Sequence, residues 1–201
     1  MRKMISGIAA TIAAGGLLLG GSALQSNAAT TGTQHLTASA SASSAVKFKT
    51  RYFDCFYETG CLSSAEVPST WRTVKLDDFA TKFVGTGNQF VRFDNIVDGS
   101  KTTAALLKAK QKALKGTKGL HIVSIATKKL KSNTGMGPLT ASTIVYTYKS
   151  GKTTRWVATR YIGTYGDSWA TNEITVAGSP KNAKFLGTVL ARATYSFYNG
   201  D

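Results

Sequence analysis

Apolar and polar positions alternate most clearly in Ser142 to Lys149 and Thr153 to Ile162, two runs of β-branched and aromatic residues around Ser150-Gly151. That pattern predicts a β-hairpin. A second hairpin is predicted for Phe79 to Val84 and Gln89 to Ile96, because Gly85-Thr86-Gly87-Asn88 between them has the residue types of a tight turn. Val46 to Tyr57 reads as a strand or extended arm, Leu120 to Thr127 and Glu173 to Ala177 as further strands, and Lys128 to Leu139 as a loop containing Gly135, Gly137 and Pro138. In Val67-Pro68-Ser69-Thr70-Trp71, Pro68 fixes an extended entry and Trp71 is large enough to anchor a core edge.

Helical spacing takes over twice. Asp98-Gly99-Ser100 offers cap residues for a helix from Lys101 to Lys115, closed by Gly116 in the left-handed conformation. At about 100° per residue, Lys101, Lys108, Lys112 and Lys115 fall within an arc of about 60°. Leu106, Leu107, Ala109, Ala113 and Leu114 lie mostly opposite and form the expected docking face, interrupted by Lys110, whose stem snorkels. Ser179-Pro180 begins a last helix whose Leu186, Val189, Leu190, Ala193 and Phe197 recur at helical spacing and cover the sheet. The order of elements gives an α+β fold, an antiparallel sheet with helices packed on it.

The N-terminus changes the picture of where this domain works. Arg2 and Lys3 precede an uncharged run from Met4 to Leu24, with small residues at Ser26 to Ala29, which is the pattern of a cleavable secretory signal over residues 1–29. An uncleaved anchor is the competing reading, which Gly15, Gly16, Gly20 and Gly21 weaken. No lipid anchor is expected, since the first cysteine is Cys55. Residues 30–45 are Thr, Ala, Ser and Gly with almost nothing to bury, so they are expected to be a disordered linker. A single basic domain over 46–201 follows, and the protein is expected to be secreted and possibly wall-associated.

Cys55 and Cys61 are the two cysteines, and in an oxidising exterior the expectation is a disulfide closing a small loop, with Gly60 giving the turn. The spacing suits neither a structural zinc site nor a C-x-x-C redox pair. No metal and no cofactor are expected.

Charge carries the functional expectation. The sequence has 25 Lys plus Arg against 10 Asp plus Glu, and losing Arg2 and Lys3 with the signal leaves 23 against 10. Between Asp98 and Asp167 no acid occurs, while Lys101, Lys108, Lys110, Lys112, Lys115, Lys118, Lys128, Lys129, Lys131, Lys149, Lys152, Arg155 and Arg160 do. A solvated helix face is the plain explanation of such lysines. A long one-signed stretch, however, creates a field that attracts polyanions. The candidate polyanion-binding residues are Lys101, Lys108, Lys112, Lys115, Lys118, Lys128, Lys129, Lys131, Arg155 and Arg160. Partners of that chemistry are anionic wall polymer, an anionic membrane surface or non-specific nucleic acid, with a protein partner as a further option. No pattern for reading base sequence is present.

Several of these segments together resemble a known family. Val67-Pro68-Ser69-Thr70-Trp71, Phe90-Val91-Arg92-Phe93, Leu106-Leu107, Arg155-Trp156-Val157-Ala158-Thr159-Arg160-Tyr161 and Leu186-Gly187-Thr188-Val189-Leu190 to Ser196-Phe197 resemble the PsbP-like fold, and most of all its actinobacterial extracytoplasmic members. Those include LpqN-type lipoproteins and the outer domains of serine/threonine kinases. The resemblance implies an α/β/α sandwich whose members mostly bind or assemble instead of catalysing, with no active-site motif to carry over. The chain departs from it at Thr70, where the family turn has glycine, in lacking a lipidated cysteine or attached kinase, and in its cysteine loop.

Two other functions stay open. An extracellular hydrolase or effector would use His121, the one histidine in the folded part, with nearby acids or hydroxyls. A domain binding a small apolar ligand between sheet and helix would show itself as a pocket. No catalytic residue is nominated: Asp77-Asp78 are neighbours that point apart in an extended segment, and Asp94 and Asp98 are explained by turns and capping.

Overall fold

The computed structural model describes residues 46–56, 60–96 and 100–200, with the backbone alone at 54–56 and 60–62. The expected signal at 1–29 and linker at 30–45 lie outside the described residues, as do Asp98 and Gly99. The described strands are β1 (Phe48–Phe56), β2 (Gly60–Pro68), β3 (Arg72–Lys75), β4 (Ala80–Val84), β5 (Phe90–Asn95), β6 (His121–Leu130), β7 (Leu139–Ser150), β8 (Thr153–Gly163), β9 (Asn172–Gly178) and β10 (Tyr198–Asn199). Helix α1 (Thr103–Ala113) connects β5 to β6, and α2 (Ala183–Tyr195) follows β9 through a short 3-10 turn at Pro180–Asn182.

Seven strands form one antiparallel sheet in the order β3-β4-β5-β9-β8-β7-β6, and β1-β2-β10 form a second. This is the α+β class that the alternating patterns predict. The strongest hairpin, β7 with β8, turns at Gly151 with φ 60°. Its mate, β4 with β5, turns through Gly87 and Asn88, both at φ 61°, a conformation that Gly and Asn adopt at low cost.

Alternation along the strands sends side chains to two different cores. Ala158 and Ile162 of β8, Val91 and Phe93 of β5 and Ile174 and Val176 of β9 face Leu186, Val189, Leu190 and Ala193 of α2 and Phe53 and Val67 of the smaller sheet. Val157 and Tyr161 of β8 and Ile144 and Tyr146 of β7 face the other way, onto Leu107 of α1. Helix α1 therefore rests on β7 and β8, and α2 rests on β8, β9 and β2. The aromatic rings Phe53, Phe83, Phe93 and Phe197 tie the small sheet to the large one, Phe53 and Phe93 with centroids 4.6 Å apart.

The structure corrects five local expectations. Helix α1 is capped by Thr102, whose Oγ1 accepts from the Ala105 N–H at 3.2 Å, and Lys101 lies before the helix. Ala109 and Ala113 are exposed, and docking falls to Thr103, Leu107 and, in part, Leu106 and Leu114. Lys128 to Leu130 are the end of β6 and not a loop, while Val67 and Pro68 end β2 instead of starting a unit. Phe197 is buried beyond the end of α2, where the chain already turns into β10. Register sets Cys55 opposite Cys61 across β1 and β2, and their side chains lie outside those described.

Trp71 is buried at the edge of the α2-side core, with its ring edge-on to Phe185 at 6.1 Å. Gly85 lies directly beneath the indole, so an added Cβ would overlap the Trp71 ring nitrogen. Gly85→Ala is expected to cost about 1–3 kcal/mol of unfolding free energy, the usual range for overpacking. Urea denaturation measures it; a loss below a few tenths would show that the indole is free to shift.

Candidate functional site

The cations sit on a scaffold that leaves the last strand, β6, with one open edge. Lys108, Lys112 and Lys115 project from α1 and the turn after it, and with Gln111 they line a groove of about 450 Å³ whose floor is Leu120 and Ile122. The groove exists because α1 docks on β7 and β8 and does not extend over β6. Of the predicted stripe, these three lysines are brought together here. Lys101 lies at the other end of α1, where Thr102 bridges Trp169 and the Lys101 carbonyl accepts from the Ala170 N–H. Lys118 lies in the turn before β6, its carbonyl bonded to the Lys149 N–H.

The remaining candidates are dispersed. Lys129 is held locally: its Nζ donates to Thr140 Oγ1 at 2.6 Å and to the Gly166 carbonyl. Arg155 lies over the Phe90 ring at 5.3 Å and donates to the Asn88 carbonyl, while Lys82 meets the same ring at 5.5 Å. Lys131 lines a third groove with Tyr195 and Pro138. Lys128 points to the α2 side of the sheet, where it shares a groove with Arg160. The described ion pairs are Lys75–Asp78, Arg92–Asp94, Lys110–Glu173 and Arg192–Glu66, so none of the ten candidates pairs with a described carboxylate.

Arg160 differs in kind from the surface lysines. It is partly buried, its Nε donates to Thr143 Oγ1 at 3.0 Å and its Nη1 to Thr194 Oγ1 at 2.8 Å. Both partners are neutral hydroxyls. Burial alone pulls its pKa down to about 10, so it keeps its charge at neutral pH.

Sequence patterns did not single out two further groups. Tyr165 and Trp169 are exposed on the loop between β8 and β9, close to the Lys129 and Lys101 ends of the surface; a lone aromatic in a loop carries no periodic signal. Under α1, Asp94 and Glu173 are direct cross-strand neighbours on β5 and β9, with Tyr161 next to Glu173 on β8. Glu173 accepts from Thr175 Oγ1 at 2.8 Å, and Thr175 in turn meets Thr159 at 2.9 Å. Burial pushes the Tyr146 hydroxyl up to about 12 and raises that of Tyr161, the latter also through Glu173. These residues are far apart in sequence, and only the strand order joins them.

His121 opens β6 at the free edge of the sheet, exposed and opposite Thr147. Its imidazole bonds to no described side chain, so the arrangement gives it no orienting partner for acid–base work. No group of three or more potential metal ligands occurs among the described residues. No described helix is long and apolar enough to cross a membrane.

No protein-family model matches the chain, and no curated protein matches it. Solved structures do. The Ran-binding protein Mog1p of Saccharomyces cerevisiae superposes with a TM-score of 0.51 at 13% identity, over 78% of this chain and 97% of Mog1p. LpqN of Mycobacterium tuberculosis, a protein involved in cell envelope biogenesis, gives a TM-score of 0.48 at 13% identity over 77% of this chain and 92% of LpqN. A putative regulator of unknown function from Pseudomonas aeruginosa gives 0.42 at 12% identity, over 74% and 94%. The superposition on Mog1p shows the fold: the chain has the PsbP-like architecture that its segments resemble.

Partial burial of Asp94 generates a pH effect. Burial is the largest influence on Asp94 and raises its pKa above the usual 3.8, against the pull of Arg92. A carboxyl that binds its proton more tightly when folded makes stability fall as pH rises from the ordinary value through the raised one. Asp94→Asn should remove that decline, so its stability relative to the natural chain should grow across this interval and then level off. Urea unfolding at a series of pH values reads the difference; parallel profiles would contradict it.

Proposed function

We propose that the protein is an exported, non-catalytic module that binds anionic polymers or surfaces through the cations around α1, and that it works in association with the cell envelope. The groove formed by Lys108, Lys112 and Lys115 over Leu120 and Ile122 carries this reading, because three ammonium groups share it with no described carboxylate in reach. Like charges so placed raise the local potential and favour a ligand that brings repeated negative charge. The apolar floor and the exposed Tyr165 and Trp169 supply contact for the uncharged parts of such a ligand, as aromatic rings do at wet interfaces. The signal pattern at the N-terminus supports a site of action outside the cytoplasm.

A protein partner is the second reading, and the free edge of β6 favours it. Val123 and Ile125 are 51% and 42% exposed there, beside backbone groups that no described strand covers, and an added strand would find both hydrogen bonds and apolar contact. Mog1p, of the same fold, is a Ran-binding protein. We also propose that Cys55 and Cys61 are disulfide-bonded, since directly opposed antiparallel positions lie within the span such a bond requires.

Binding to double-stranded DNA and to vesicles containing phosphatidylglycerol, measured at several salt concentrations, tests the main reading. Affinity should fall steeply with salt, and changing Lys108, Lys112 and Lys115 together to Gln should reduce the magnitude of the logarithmic salt slope on DNA by about three. Absence of binding at low ionic strength, or an unchanged slope in the triple variant, would refute it. For the disulfide, mass spectrometry of non-reduced peptides should find the two cysteines joined in protein collected from the medium; free thiols would rule the bond out.

A further inference from the structure

On the sheet face opposite α1, the α2 helix stops short of β6 and β7 and leaves a groove of about 260 Å³. Its floor is kept open by Ala126 and Ala141, and its polar lining is Ser124, Thr143, Lys128 and Arg160. We propose that this groove binds a phosphoryl group, held by Arg160 and Lys128 with hydroxyl donors from Ser124 and Thr143. The site stands apart from the lysine groove beside α1 and does not rest on the polyanion reading.

The argument begins with the cost of Arg160. Removing a guanidinium from water is expensive, and proteins offset the penalty with a carboxylate or another full set of hydrogen bonds. Here it meets two neutral hydroxyls and no described carboxylate. A structural link between β7 and α2 would need only those two bonds, which an uncharged amide could make without bringing a charge inside. Thr194 Oγ1 is itself turned to donate to the Leu190 carbonyl at 2.7 Å, so it presents a lone pair to Arg160 and fixes the plane of the fork. Two of the five guanidinium N–H groups are thereby used, and three remain for a ligand.

The second charge decides the ligand class. Lys128 lines the same groove from β6, two strands from Arg160 across β7, and is bonded to no described acceptor. One positive charge fixed by hydrogen bonds, Arg160, and one free to swing in from the rim, Lys128, with hydroxyl donors between them match a phosphate carrying up to two negative charges and several acceptor oxygens better than a single carboxylate. The volume admits a phosphoryl group with a small substituent and excludes a drug-sized apolar ligand.

Inorganic phosphate is the probe, titrated at constant ionic strength and followed by proton–nitrogen correlation spectra that include the arginine Nε–H signals. The expected result is a saturable shift at Arg160 Nε–H and at the amides of Ser124, Ala126, Lys128 and Thr143, with acetate at the same ionic strength at least tenfold weaker. Ala126→Leu, which fills the groove and leaves both charges, should weaken phosphate at least tenfold, and Lys128→Gln several-fold. Arg160→Met should abolish binding while Tm stays level or rises, because a partly buried charge without an acidic partner is replaced by an apolar chain. The Lys108, Lys112 and Lys115 to Gln variant should bind phosphate unchanged, which separates this site from the one proposed above. The inference is overturned if no saturable shift occurs, if acetate equals phosphate, if Ala126→Leu binds as the natural chain does, or if Arg160→Met lowers Tm by about 10 °C or more and so marks a structural clamp.

Discussion

The molecule is governed by a mismatch of coverage. A sheet of seven strands is about 29 Å across its strands, whereas α1, with 11 residues, and α2, with 13, are only about 17 and 20 Å long. Each helix must sit over the widest apolar area of its face, which is β7 and β8 on one side and β8 and β9 on the other. The small sheet then closes the β4 and β5 end of the α2 face through Phe53 and Val67, and no described element closes the β6 end of either face. Both grooves described above are the direct result. They flank one strand, β6, from opposite sides.

The two grooves hold cations of different energetic character. Lys108, Lys112 and Lys115 are exposed and solvated, so their effect is a field whose reach shrinks with salt. Arg160 is partly desolvated and geometrically fixed by Thr143 and Thr194, so its effect is local and directional. A stretch without acids in the sequence gives no means of telling these apart. Strand parity does: in β8 the odd positions, Arg155, Val157 and Tyr161, face α1, and the even position Arg160 faces α2.

What could be read beforehand followed from local chemistry. The β7–β8 hairpin is dense in Val, Ile, Thr and Tyr, and α2 has an unbroken apolar stripe, so pattern and structure agree there. Strand β2 escaped because Ser63, Ser64 and Ala65 carry no strand signature; it is held by pairing with β1 and β10 and by bonds such as Ser63 Oγ to Asn199 and the Glu66 N–H to Ser196 Oγ. The end of β6 reads as a loop because edge strands carry charge on purpose. The start of α1 was misplaced since Asp98, Ser100 and Thr102 are all good cap formers, and the bridge from Thr102 to Trp169, invisible in one dimension, is what selects among them. Candidate residues were legible as a composition bias, while their division between two grooves was not, because it depends on which strand is outermost.

That outermost strand has a consequence for how molecules meet. Lys128 and Lys129 leave β6 toward opposite faces, so a twin aligned edge to edge would bring ammonium against ammonium above and below the new ladder. Extension of the sheet by a second copy in that register is disfavoured on both faces, beside the exposed Val123 and Ile125. In that register the rim repels a like-charged strand and spares one of opposite sign.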